Sequence, residues 1–296
     1  MITGQGMISP SAAAPPQPWD GGRGVLVLEE VLARLEQLPT RPAVARMVIG
    51  MTRDEGMSAR RIAAVLSADA PLTARLMRLA NSAYYGLSGR VRTLTFAVTV
   101  LGFTTARSMS LVAAAELGGP DALPVGFWHR NACTAVAAGE LARPLQLDPP
   151  DAFCLGLLSG IGQALLHQAD REPYSALLLT AGPDRDALIA AERNRYGASH
   201  LAVSAAALQA WSFPPELSAA LRVRDRWPVS RPAENGDDLA VCLLLAGEVA
   251  DRVVSPGCPP GDVRHMSGGR VGQELVAALS LRLPHLATDL ARCVGD

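Results

Sequence analysis

Apolar positions along this chain recur at intervals of three and four. Leu28, Val31, Leu32 and Leu35 fall at i, i+3, i+4 and i+7, which predicts a helix that Leu38-Pro39-Thr40-Arg41-Pro42 must end. Ser58 then stands before Ile62, Val65 and Leu66, a cap followed by one apolar face. Asp69-Ala70-Pro71 closes that helix and opens another with Leu72, Leu76 and Leu79 as its buried stripe. That stripe runs into Asn81-Ser82-Ala83-Tyr84-Tyr85-Gly86, a polar stop ending in glycine. Thr93–Leu101, Gly102 and Phe103–Leu117 read as helix, glycine C-cap and helix.

After Gly118-Gly119-Pro120 the helical pattern resumes. Asp148-Pro149-Pro150 opens a helix running through Phe153, Leu157, Ile161 and Leu165, and Ser199 caps another carrying Leu201, Leu208 and Trp211. Residues 226–237 read as a polar connection, Leu239–Val254 as an apolar helix and 255–270 as a Gly/Pro loop. Two short helices split near Pro284 close the chain. No strand alternation competes with these patterns, so the expected fold is all-α. The expected organisation is a disordered leader at 1–24, an N-terminal helical lobe at 25–120, a second helical lobe at 121–225 and a C-terminal helical extension at 226–296.

Composition narrows the chemistry. The 296 residues carry 27 basic and 28 acidic side chains, and every basic one is Arg. Without lysine there is no Walker-A lysine, Schiff-base lysine or Ser-x-x-Lys nucleophile. The five cysteines are scattered and form no Cys-x-x-Cys, so they read as reduced core thiols. The first residues lack the basic start and apolar stretch of a signal peptide, and no apolar run approaches the roughly 18 residues of a membrane span. The expected location is the cytoplasm.

Three stretches in the first lobe carry a resemblance: LPTRPAVARMVIGM, SARRIAAVLSADAPLTARLMRLANSAYYG and LTFAVTVLGFTTAR. The second lobe adds FWHRNACTAVAAGELA, DAFCLGLLSGIGQALL and YGASHLAVSAAALQAW. Together, over about residues 38–225, they resemble the HDOD domain, the HD-related output domain of bacterial signalling proteins. The resemblance implies a two-lobed helical fold whose second lobe is a degenerate relative of HD phosphohydrolases. In those enzymes a His, an adjacent His-Asp pair and a further Asp surround one or two metal ions. Here the His-Asp position reads Ser159-Gly160, the upstream His position reads Arg130, and Arg224-Asp225 stands where relatives often show His-His. His129 lies one residue from Arg130, rotated about 100° around the helix. The resemblance therefore implies a module without metal, cofactor or catalytic residues, working through a signalling protein partner. His200 occupies a position where the HDOD pattern commonly carries histidine, and it is expected as a buried hydrogen-bonding post.

Two other readings stay open. Between 41 and 107 lie ten arginines against Asp54, Glu55 and Asp69, an excess of +7. The helices at 58–67 and 71–82 superficially resemble a helix-turn-helix presenting Thr73, Arg75 and Arg78, the face a nucleic-acid-associated regulator would use. Alternatively, Arg130 and Arg224, with Asp225 as a pairing partner, form a pocket that senses an anionic ligand such as a nucleotide. The expected interaction surface is Arg75, Arg78, Asn81, Ser82, Tyr84 and Tyr85. No membrane is expected as a partner, and a homodimer is compatible with the sequence.

Overall fold

The computed structural model describes residues 58–114, 123–211, 213–226, 237–255 and 261–295, with isolated helical positions at Val31, Ala33, Met47, Val48 and Met51. The expected leader, most of the first helix and the lobe junction fall outside these residues. Among the described residues there is no strand, and the all-α expectation holds.

The first helices are set by their caps. Helix α1 (Ala59–Leu66) starts where Ser58 Oγ accepts from Arg61 N, and α2 (Ala70–Ala80) where Asp69 accepts from Leu72 N at 2.9 Å. A 3-10 turn, Ala83–Tyr85, ends at Gly86 in the left-handed conformation. Helix α3 (Leu94–Ala114) breaks at Gly102, where φ 77° and ψ 163° interrupt the helical path.

Helix α4 (Phe127–Ala142) is the axis of the core, and 12 of its 16 residues are buried. Its small residues let α5 (Pro149–Leu158), α11 (Asp238–Val254) and α13 (Gln273–Gly295) pack around it. A Cβ at Gly156 would lie 2.7 Å from the α4 backbone, so this glycine is what allows α5 to approach so closely. Helix α6 (Ile161–Ala169) follows α5, then α7 (Arg171–Ala181), α8 (Arg185–Tyr196), α9 (His200–Ala210) and α10 (Pro215–Arg226). Helix α13 also reaches back to α2 and the 3-10 turn.

Four expectations change. The helix expected from Asp148 through Leu165 is two helices, because Gly160, with ψ −2°, ends α5 and begins α6. The expected split at Pro284 does not occur: α13 runs through it, because Val276, Leu279, Leu283, Ala287 and Leu290 bury one continuous stripe. The loop at 255–270 contains a short helix, α12 (Val263–Met266), capped by Asp262. Finally, α5 and α6 taken together, Pro149–Ala169, do reach spanning length and apolarity, with an 18-residue window of mean hydropathy 1.2, yet 78% of that window is buried inside the fold.

The core thiols carry a direct expectation. Cys133, Cys154 and Cys242 are free and buried, and burial pushes each up to about 12. Almost no thiolate exists at about pH 8, so iodoacetamide should leave all three untouched in the native protein and alkylate them in urea. Peptide mass mapping reads this, and native-state labelling of any of them would mean that the core opens.

Candidate functional site

The break between α5 and α6 places Ser159 and Gly160 at one wall of a cavity of about 220 Å³. The same cavity is lined by Arg130 from α4, His200 from the start of α9 and Arg224 from α10. Residues far apart in sequence thus meet around one space.

Each wall has a local cause. Asn131 donates to Phe127 O at 3.0 Å, which turns its amide toward Gly160. A Cβ at Gly160 would stand 2.3 Å from Asn131 Oδ1, so the amide fills the room a side chain there would need. Ser159 Oγ donates to Gly156 O at 2.9 Å and Ser159 O accepts from Ser204 Oγ at 2.7 Å, so the serine closes the α5 turn. Below the cavity, Glu192 is fully buried and binds three donors on two elements. Tyr174 OH donates to it at 2.6 Å, His200 N at 2.8 Å, and His200 Nδ1 lies 2.7 Å from it. His200 is therefore a partly buried post tying the start of α9 to α8.

The cationic side is a network. Arg130 pairs with Asp251 Oδ1, and Arg185 Nε lies 2.6 Å from Asp251 Oδ2. Arg185 Nη2 also donates to Gly247 O at 3.0 Å. Arg224 is buried and reaches Asp186 at 3.7 Å; burial and the Arg185 charge pull it down to about 10. The pairing expected for Asp225 is corrected. Its carboxylate bonds Ser199 Oγ and lies 3.0 Å from Arg193 Nη2, reaching Arg224 only electrostatically, while Asp251 pairs with Arg130 and Asp186 lies 3.7 Å from Arg224.

Sequence reasoning missed Asn131, Arg185, Glu192 and Asp251. Asp251 had a signal: it continues the apolar stripe of Ala240, Leu244 and Gly247, where an acid must be paired.

This donor set does not fit a divalent metal. The HD position offers a glycine and a serine engaged with backbone, flanked by guanidinium cations. Among the described residues, no group of three or more His, Cys, Asp or Glu is arranged to hold a metal ion.

The expected interaction surface is largely turned inward. Asn81 donates to Met77 O at 3.0 Å and Val91 O at 2.8 Å and accepts from Val91 N at 3.0 Å, which closes the loop between them. Ser82 is buried, and Tyr84 stacks on Phe153 with ring centroids 5.1 Å apart. Tyr85 is packed against the core, and burial raises its hydroxyl well above the ordinary tyrosine range. Arg78 is exposed and Arg75 half-buried. In the helix-turn-helix reading, Thr73 is occupied: its hydroxyl donates to Leu66 O at 2.9 Å. Arg107 is buried, donating to Trp211 O at 2.7 Å and lying 4.4 Å from the Phe213 ring centroid. Arg60, Arg61, Arg78, Arg90 and Arg92 remain exposed, while Arg41, Arg46 and Arg53 lie outside the described residues.

Comparison with known proteins places this geometry. The family model of the HDOD domain matches residues 38–226. A solved structure from Shewanella amazonensis SB2B, provisionally named a phosphohydrolase, is 24% identical with a TM-score of 0.67, covering 89% of this chain and 97% of that one. A provisionally named signal transduction protein from Marinobacter aquaeolei VT8 is 20% identical at TM-score 0.67, over 94% of this chain and 67% of that one. An HDOD domain protein of unknown function from Geobacter sulfurreducens is 20% identical at TM-score 0.62, over 93% and 99%. These likenesses establish a common fold, and their coverage must include part of the chain beyond Arg226. No match to a curated protein was found.

Proposed function

The chain belongs to the HDOD domain family, and from that premise we propose that it is a non-catalytic signal-transduction module that acts through protein contacts. The observation that carries this reading is the filled HD position: Gly160 lies under the Asn131 amide, beside the Arg130–Asp251–Arg185 network. A hydrolytic site needs donors that hold a metal and lower the pKa of its water, and guanidiniums do neither. The family and a structural neighbour named a signal transduction protein support signalling as the setting.

The test of the catalytic half is direct. Purified protein loaded in turn with manganese, ferrous iron and magnesium is assayed on p-nitrophenyl phosphate, bis-p-nitrophenyl phosphate and cyclic dinucleotides. Turnover at the buffer rate, unchanged by chelator, is the expected outcome. Metal-dependent turnover abolished by chelator would end the reading.

The contact half rests on Arg75 and Arg78, the members of the expected surface not committed to the loop or core. Reversal of both to Glu should leave the far-UV circular dichroism unchanged and weaken capture of the host partner by roughly tenfold, the scale of a charge effect at an interface rim. Capture is done from the native host, with and without nuclease. Equal capture by the folded double variant would remove this surface. Partners lost on digestion would move the exposed arginines of α1 and α2 to a phosphate-binding role.

A further inference from the structure

The cavity is lined by two kinds of side chain. Leu178, Leu188, Ile189 and Leu201 are apolar, while Arg130, Arg185 and Arg224 bring three guanidiniums from three helices. The acids facing them are Asp251, which is nearly buried, and Asp186, which is about half exposed. Asp184 also lines the cavity, but it is exposed and its carboxylate caps α8 by accepting from Ala187 N at 3.0 Å. Glu248 is within electrostatic reach of Arg224 but accepts from Gly261 N at 3.2 Å.

Asp251 shows what the guanidiniums are shaped to hold. Its two oxygens are divided between Arg130 and Arg185, as a bound oxyanion would be. Arg185 is seated for this: Gly247 leaves the space its guanidinium occupies, since a Cβ there would lie 1.9 Å from Nη1. Arg224 is held in the same cavity under the charge of Arg185.

We propose that this cavity binds a small phosphomonoester, with the phosphoryl group among Arg130, Arg185 and Arg224, and the body against the leucine and isoleucine side chains. The phosphoryl oxygens take the place of the Asp251 carboxylate on at least one guanidinium. Asp251 belongs to α11, so a ligand that releases it changes how α11 is held against α4 and α8. This inference rests on the non-catalytic reading, because the phosphoryl group is held where HD enzymes would cleave it.

The experiment is titration calorimetry on the full chain without added metal, using inorganic phosphate, AMP and adenosine as probes. Phosphate and AMP should bind saturably, AMP more tightly, and adenosine should give no heat. Arg185→Met should weaken AMP binding at least about tenfold, and Asp251→Asn, which removes the internal competitor, should strengthen it by about the same factor. If Asp251→Asn does not fold, Gly247→Ala serves instead: it displaces the Arg185 guanidinium and should weaken binding. The absence of saturable heat from both phosphate and AMP overturns the inference, as does binding of adenosine equal to that of AMP. Unchanged affinity in Arg185→Met overturns it too. Phosphate release from AMP is followed in parallel with manganese present. Release would overturn the non-catalytic reading and leave the binding site standing, whereas no binding and no release would overturn only this inference.

Discussion

Glu192→Ala is expected to destabilise the fold by about 3–5 kcal/mol, the cost of breaking a buried charged hydrogen-bond network by removing one partner. The carboxylate is fully buried, and three donors converge on it from two elements: the Tyr174 hydroxyl of α7 and the backbone N and Nδ1 of His200 in α9. Alanine removes the acceptor that all three share and leaves a void in its place. Tyr174 cannot escape by ionising, because burial, the main cause that holds its hydroxyl proton well above the usual range, remains in the variant. Glu192→Gln separates charge from shape. Its amide oxygen still accepts one or two of these bonds, so its cost should be about half that of alanine. Urea unfolding followed by circular dichroism measures both variants, with the midpoint shifting at constant slope. A loss under about 1 kcal/mol for Glu192→Ala would mean that water reaches the carboxylate, and that His200 is not fixed by it.

What could be read from the sequence was what is decided locally. Ser58, Asp69, Asp148 and Ser199 each cap the helix that follows, because a side-chain oxygen reaching the backbone N–H three residues on is a contact within one turn. Gly102 breaks its helix for an equally local reason. Pro284 shows the limit: its penalty is local, but the stripe it sits beside is buried by distant α4, and that burial prevails. The family pattern likewise pointed to Arg130, Ser159, Gly160, His200 and Arg224, which the fold gathers around one cavity. It could not supply Asp251 or Arg185, because their pairing depends on α11 lying beside α4 and on the open space at Gly247. Asn81 and Tyr84 looked like a presented turn because a sequence does not show that Val91 and Phe153 come round to meet them.

The second large effect belongs to Gly162, whose role comes from the same kind of distant meeting. A Cβ at this position would lie 2.0 Å from His200 O, 2.8 Å from its carbonyl carbon and 3.0 Å from its Cα. All three atoms are backbone at the start of α9, so no rotamer relieves the collision and α6 must move away from α9. That movement has a further cost. Gly162 N donates to Ser204 Oγ at 2.8 Å, and the same hydroxyl donates to Ser159 O at 2.7 Å, so separation loosens both bonds. His200 cannot follow α6 outward, because Glu192 holds it from α8. Against this, alanine gains about 1 kcal/mol of helix propensity over glycine. The net expectation for Gly162→Ala is a loss of about 3 kcal/mol, at the upper end of overpacking in a dense core. Gly160→Ala is the matched control. Its Cβ also meets atoms at 2.3 Å, but these belong to the Asn131 amide, the movable end of a side chain, so its loss should be near 1 kcal/mol. Thermal melting of the two variants beside wild type decides the matter. Equal midpoints for Gly160→Ala and Gly162→Ala would show that the α6–α9 contact yields as readily as a side chain, and that Ser204 does not lock it.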